Sequence, residues 1–305
     1  MNFNPPLEDL ERIFGKTQDE AHPFEVVLLG GEPFMRKDIV EVVEAAYGSF
    51  GDRIGLSTNG TLIGNLDDAQ LERLKNVLNS AGTFIQVSLD SIDPKVNDKT
   101  RKPKSKAIGT DRVIAGLDAL ERHGIKFGIG MLVTKSNVSD AGSSAMALLS
   151  RYGSLVNINV ERLQPAQTLD HTRYLELYAN REERVRARRD IIEARDSIPR
   201  RDVNISGEEE GYVALQGEKT VLDSYGLKFC TAGLLRAGVL PNGDVVPCVL
   251  LRDTVLGNLY SESWGEIWVR SKERFSKLDL PERGQCYSNL LRDGSGRAKL
   301  KTKAA

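Results

Sequence analysis

The side chains best suited to chemistry gather where apolar runs stop. The run from Phe24 to Leu29 ends in Gly30, Gly31, Glu32 and Pro33. A second run ends in Ser57, Thr58, Asn59 and Gly60, a third in Ser88 and Asp90, and Glu161 lies near the end of a fifth. Glycine leaves backbone groups uncovered, so a ligand can approach them closely. Carboxylates and hydroxyls beside such backbone suit a ligand bearing an amine and hydroxyls. Taken singly, each residue also fits ordinary turn and capping chemistry. The recurrence at successive run ends carries the functional reading.

The cysteines form the second group. Cys230 and Cys248 are separated as Cys-x12-Gly-x4-Cys, with Gly243 inside Pro241-Asn-Gly-Asp, a hairpin turn signal. A hairpin there brings Cys248 towards Cys230, and Cys286 beside Gly284 is the third candidate ligand. Gathered thiolates are soft ligands that select zinc or iron–sulfur over magnesium or calcium. The competing reading is packed, inert thiols. His22, His123 and His171 lie far from the cysteines in sequence, which argues against a His-rich zinc site.

Strands alternating with helices must position these residues. Periodicity places a short helix at 7–14, a buried strand at 25–29 and a helix at 38–47. A strand from Arg53, a helix at 67–78 and a strand at 84–89 follow. After a polar loop at 93–106 come helices near 110–123 and 140–149, alternating with strands at 126–133 and 155–163. This spacing implies a parallel sheet with right-handed crossovers. Five strands before residue 165 suit either a doubly wound sheet or most of a barrel, and both gather ligands at carboxyl strand ends. Residues 169–198 read as charged helix, with Arg181, Arg184, Arg186, Arg188 and Arg189 on a solvated face or against an acidic partner. The alternation stops near 200, where a linker is expected over 201–224. A hairpin then spans 235–250, a helix spans 263–278 with Ser263 as N-cap, and a basic, disordered tail is expected at 299–305.

Length and composition set the bounds. The 305 residues suffice for one barrel-sized domain or two ordinary ones, and 40% hydrophobic residues allow a substantial core. A net charge of -1 carries no nucleic-acid footprint, and no apolar run reaches membrane-spanning length. No signal peptide is visible. Three cysteines, all in the last third, fit a reducing cytosol, so the expected location is cytoplasmic.

Gly30-Gly31-Glu32-Pro33 followed by Phe-Met-Arg-Lys-Asp resembles the GGEP element of radical S-adenosylmethionine enzymes. Leu56-Ser-Thr-Asn-Gly-Thr61, Val87-Ser-Leu-Asp90 with Arg101 after it, and Val133-Thr-Lys-Ser-Asn137 resemble the next three strand ends. Cys230, the run Pro241 to Cys248, Gly257-Asn258-Leu259 and Glu266-Ile267-Trp268 resemble a SPASM domain. The resemblance implies an α/β fold, a partial (β/α)6 TIM-like barrel over 1–200 missing its first strand. A small SPASM-like α+β domain over 225–298 would follow. It implies S-adenosylmethionine and a [4Fe–4S] cluster as cofactors, and a peptide or protein as substrate. Gly30, Gly31 and Glu32 would then take the cofactor's amino group and Ser88 its ribose or methionine part. Pro33, Ser57, Asn59 and Asp90 would complete the cofactor-binding set, and Cys230, Cys248 and Cys286 would be the metal ligands.

Two departures qualify that expectation. The family's Cys-x3-Cys-x2-Cys motif precedes GGEP, yet here no cysteine precedes Cys230. Of the family's C-terminal Cys-x2-Cys-x5-Cys-x3-Cys segment only Cys286 stands, with Arg283, Arg292 and Gly296 at the other places. The expectation is therefore a chain inactive as it stands. It would be either an incomplete product of an active enzyme's gene or a degenerate homologue acting as a binding or partner subunit, with a partner supplying missing elements. A conventional α/β nucleotide- or sugar-binding enzyme is a further alternative. Phosphate loops favour Lys, Ser or Thr after the glycines, whereas Glu32 and Pro33 follow here.

Overall fold

The computed structural model describes residues 4–101, 109–163, 171–200, 202–207 and 232–276. The described residues fall into two compact units. One holds 23–163 with 175–207, and the other holds 4–22 and 171–174 with 232–276. Among the described residues no helix is long and apolar enough to cross a membrane.

Helix α1 (Leu7–Ala21) belongs to the second unit. The first is built from β1 (Val26–Leu28), α2 (Ile39–Phe50), β2 (Ile54–Thr58), α3 (Asp68–Ser80), β3 (Ile85–Ser88), α4 (Pro94–Thr100) and α5 (Thr110–His123). It continues with β4 (Phe127–Val133), α6 (Ala141–Arg151), β5 (Leu155–Arg162), α7 (His171–Leu177), whose end lies in this unit, α8 (Arg181–Asp196) and β6 (Asn204–Gly207). All six strands pair in parallel, in the order β1 to β6. Sequential order with right-handed crossovers puts every helix on one face, as in a barrel; a doubly wound sheet would reverse its order partway. The fold is thus a partial TIM-like barrel. Strand alternation decides which face is covered. Leu56, Val87, Ile129, Met131, Ile158 and Ile205 are buried on the helix side.

Several expectations change here. The run at 25–29 is an edge strand, not a buried one. Among the described strands β1 pairs only with β2, so Val27 and Leu29 are exposed and Phe24 is 98% exposed. The first helix runs on past residue 14 to Ala21. The polar loop holds α4, because Asp93 accepts from the Lys95 N–H (2.8 Å) and Pro94 occupies the first helical turn. The stretch expected to be a linker begins with a sixth strand, since β6 pairs with β5 from Asn204 to Gly207. Arg184 is not on a solvated face. It is buried, donates to the Ala179 carbonyl and lies over the Tyr178 ring.

The second unit holds the expected hairpin. Strands β7 (Gly238–Val239), β8 (Asp244–Val246) and β9 (Gly257–Asn258) form an antiparallel sheet, followed by α9 (Trp264–Ser276). Gly243 turns the hairpin at φ 81°, and a methyl there would meet the Tyr260 ring. Ser263 caps α9 reciprocally with Glu266. Ile13 of α1 packs into the core with Val245, Leu259, Trp264, Ile267 and Phe275.

Candidate functional site

The strand ends meet through Glu32. Its Oε1 accepts from the Phe34 N–H (3.0 Å) and the Thr58 hydroxyl (2.6 Å), and its Oε2 accepts from the Asn59 N–H (2.8 Å). One carboxylate therefore starts the short 3-10 turn Pro33–Met35 and clamps the end of β1 to the end of β2. Gly30 and Gly31 lie exposed beside it, and a methyl added at Gly31 would meet nothing within 4 Å. Pro33, the first residue of this turn, is buried. Asn59 is exposed, and its Oδ1 accepts from the Thr61 N–H and hydroxyl. Ser57 and Ser88 are half-buried on the sheet face away from the helices.

Asp90 is fully buried. Its Oδ1 accepts from Arg101 Nη2 (2.7 Å) and the Leu132 N–H (3.0 Å). Its own N–H donates to Asn97 Oδ1 (2.9 Å), and its carbonyl accepts from Asn137 Nδ2 (2.8 Å). The β3 end is thereby tied to α4 and to the β4 end. Asp90 Oδ2 is buried with no hydrogen-bond partner among the described residues. Such an orphan costs roughly 1–3 kcal/mol and calls for an explanation.

Cys230 and Cys286 lie outside the described residues. Cys248 is a free, half-buried thiol packed against the core of the second unit. Among the described residues no group of three or more His, Cys, Asp and Glu side chains is placed to hold a metal ion.

The sheet face away from the helices holds residues that strand-end reasoning passed over. Cross-strand register sets Ser57, Gln86, Gly128, Asn157 and Asn204 in one row. Ser88, Gly130, Asn159 and Ser206 form the next row, with Leu132 opposite Glu161 beyond it. The signal was present in the period-two alternation of Asn157, Asn159 and Glu161. None of these positions carries Lys or Arg.

The family model described as the radical SAM superfamily matches residues 2–144, and the one described as an iron–sulfur cluster-binding domain, SPASM, matches residues 230–289. The chain is 40% identical over 116 residues to the Fe-coproporphyrin III synthase of Methanosarcina barkeri, covering 38% of this chain and 26% of that protein. It is 27% identical over 281 residues to the AdoMet-dependent heme synthase of the same organism, covering 86% and 73% respectively. It is 28% identical over 289 residues to the mycofactocin maturase MftC of Mycolicibacterium smegmatis, covering 92% and 65%. The stretch it matches thus ranges from about a quarter to about three quarters of these relatives' lengths. Streptococcus suis SuiB bound to S-adenosylmethionine shares the fold at a TM-score of 0.70 and 18% identity, over 99% of this chain and 70% of that one. The enzyme anSMEcpe with bound AdoMet does so at 0.61 and 17%, over 87% and 72%. With both family models matched in order along its length, the chain belongs to the radical S-adenosylmethionine superfamily, with a SPASM domain after the barrel.

Proposed function

We propose that the barrel unit binds S-adenosylmethionine at the carboxyl edge of its sheet and serves in the modification of a peptide. Gly30, Gly31 and Glu32 take the amino group, with Ser88 at the ribose or methionine part. One observation carries the cofactor reading. The Glu32 carboxylate is held by three donors beside bare glycine backbone, and a carboxylate has about four acceptor positions. It keeps capacity for an ammonium group without moving.

In this family S-adenosylmethionine, bound beside a reduced iron–sulfur cluster, supplies a carbon radical that abstracts a substrate hydrogen. The cysteines in these 305 residues do not fit that cluster, because all three lie at or after position 230 and none stands in a Cys-x3-Cys-x2-Cys motif. The arginines at 283 and 292 cannot replace thiolates as iron ligands. What this chain's own residues do is bind the cofactor, orient it and keep water from it.

The peptide reading rests on the barrel's inner face. The relatives include enzymes named for a tetrapyrrole, for GTP and for a maturation reaction. Carboxylate or phosphate groups are held by Arg and Lys forks, and the inner strand positions carry neither. A neutral segment suits this face better. SuiB, one structural neighbour, has been crystallised bound to its precursor peptide.

Calorimetry tests the cofactor reading. The 305-residue chain is expected to bind S-adenosylmethionine, and Glu32→Gln to weaken binding at least about tenfold, as a charge-assisted bond is worth roughly 1.5–3 kcal/mol. The thermal midpoint measured on the same variant separates lost binding from the lost β1–β2 clamp. Equal binding by both proteins, or none by either, overturns the assignment. The same samples, reconstituted without oxygen, are expected to yield no 5′-deoxyadenosine above a no-protein control.

A further inference from the structure

We infer that the end of the barrel where its strands begin carries a second site, which takes a small monocarboxylate with an apolar body. A cleft of about 480 Å³ opens there, and Phe84, Lys126, Val156, Asn157, Asn204 and Ser206 are among the residues that line it. Phe84 and Lys126 stand one residue before β3 and β4, and Asn157 and Asn204 lie in the first halves of β5 and β6. The six strands run parallel, so this cleft lies at the opposite end of the sheet from Glu32, Asn59 and Asp90, which follow the ends of β1, β2 and β3. It is therefore independent of the cofactor reading above.

Two donors and an apolar wall meet in the cleft. Asn157 is only 7% exposed. Its Oδ1 accepts from Asn204 Nδ2 (3.0 Å) and from the Ser206 hydroxyl (3.1 Å). These bonds fix which way the carboxamide faces, and they leave its Nδ2 as a donor with no partner among the described residues. Lys126 is exposed, makes no ion pair among the described residues, and is the one charged side chain in the lining. Gly128 stands opposite Asn157 in the β4–β5 register, and the Phe84 ring lies over it, where a methyl would meet the ring at 2.6 Å. Phe84 and Val156 thus form the apolar side of the cleft. An oxyanion set between an ammonium and an amide N–H completes both, and hydrogen bonds assisted by charge are the strong ones. One cation matches one negative charge, so a phosphate dianion would bring a charge that nothing in the lining meets. An amine would face Lys126 with like charge, and a neutral amide would leave that cation unused. A bare carboxylate would leave Phe84 and Val156 uncovered.

Nuclear magnetic resonance of the 15N-labelled chain tests this. The probe is benzoate, with benzamide, benzylamine, phenyl phosphate and acetate as comparators. Asn157→Asp assigns the Asn157 side-chain amide pair by removing it, while keeping the oxygen that Asn204 and Ser206 bond. Benzoate should shift that pair saturably and bind more tightly than each comparator. Lys126→Gln, an exposed change that leaves the fold intact, should weaken benzoate about threefold to fivefold, the worth of an exposed charge pair. Saturating S-adenosylmethionine should leave the benzoate shift in place, because the two sites lie at opposite strand ends. Absence of a saturable shift, binding of any comparator as tight as that of benzoate, undiminished binding by Lys126→Gln, or displacement by S-adenosylmethionine overturns the site.

Discussion

Asp90 shows how much one buried carboxylate organises. It is fully buried, and its partner Arg101 keeps 31% side-chain exposure, so the pair is half in and half out of solvent. Removing one member of a buried pair typically costs about 3–5 kcal/mol, because the remaining group is left uncompensated. Asp90→Ala also strips the acceptor from the Leu132 N–H, whereas Asp90→Asn keeps an acceptor there. Urea denaturation should therefore rank the alanine variant well below the asparagine one, with the alanine loss near the lower end of that range since Arg101 can reach water. Equal losses would mean that charge, not the Leu132 bond, carries the effect. The positions of Glu32 and Asp90 at strand ends were legible in the sequence because polar residues recur where successive apolar runs stop. The alternation of Asn157 and Asn159 was legible too, but Gln86 was not. A lone polar residue inside a strand only announces which face is uncovered, and its neighbours across the sheet are set by a register the sequence does not print.

Helices α3 and α5 are joined at the surface by His123. Its Nδ1 lies 3.1 Å from Glu72 Oε1 and its Nε2 lies 3.1 Å from Asp68 Oδ1. The hydrogen bond from His123 is the largest influence and holds the Glu72 carboxyl below its ordinary value; burial opposes it, and the charges of Lys75 and His123 add to the lowering. A carboxylate whose folded pKa is depressed stabilises the fold above its unfolded pKa, and that stability is lost as pH falls through the lowered value. Thermal midpoints of the parent and Glu72→Gln should thus differ slightly near neutrality and converge as pH drops through and below the usual glutamate range. A gap that persists unchanged to the acid limit would place the effect in packing instead. At this scale much was legible. Helix α5 spans Thr110–His123 as its periodicity predicts, and Gly124 ends it at φ 64°. Helix α4 was hidden because Asp93-Pro94 reads equally well as a turn. Strand β6 was hidden because Asn204-Ile-Ser-Gly offers one apolar residue, so its place in the sheet comes from pairing with β5.

Across the whole chain, nothing local in the sequence says which strands or helices a starting helix will join, and position alone groups α1 with the barrel that follows it. Its contacts group it with residues 232–276. The Lys16 ammonium donates to the Leu259 carbonyl (3.0 Å) and the Glu262 carbonyl (2.6 Å). The Trp264 indole N–H donates to the Thr17 hydroxyl (3.0 Å), and the Trp264 backbone N–H donates to Glu20 Oε2 (2.7 Å). Ile13, 5% exposed, completes the apolar contact. A unit this small has few core residues, so one side chain carries a large share of its stability. The chain's two tryptophans, Trp264 and Trp268, both lie on α9, which makes intrinsic fluorescence a selective report on this unit. Truncating a buried isoleucine to alanine typically costs about 2–5 kcal/mol. Ile13→Ala should therefore move the fluorescence-detected urea midpoint down by a large margin. The far-UV circular dichroism transition, dominated by the barrel's helices, should move less, so that the two probes separate. Coincident transitions in the variant, or an unmoved fluorescence midpoint, would show that α1 is not part of the folded unit that contains α9.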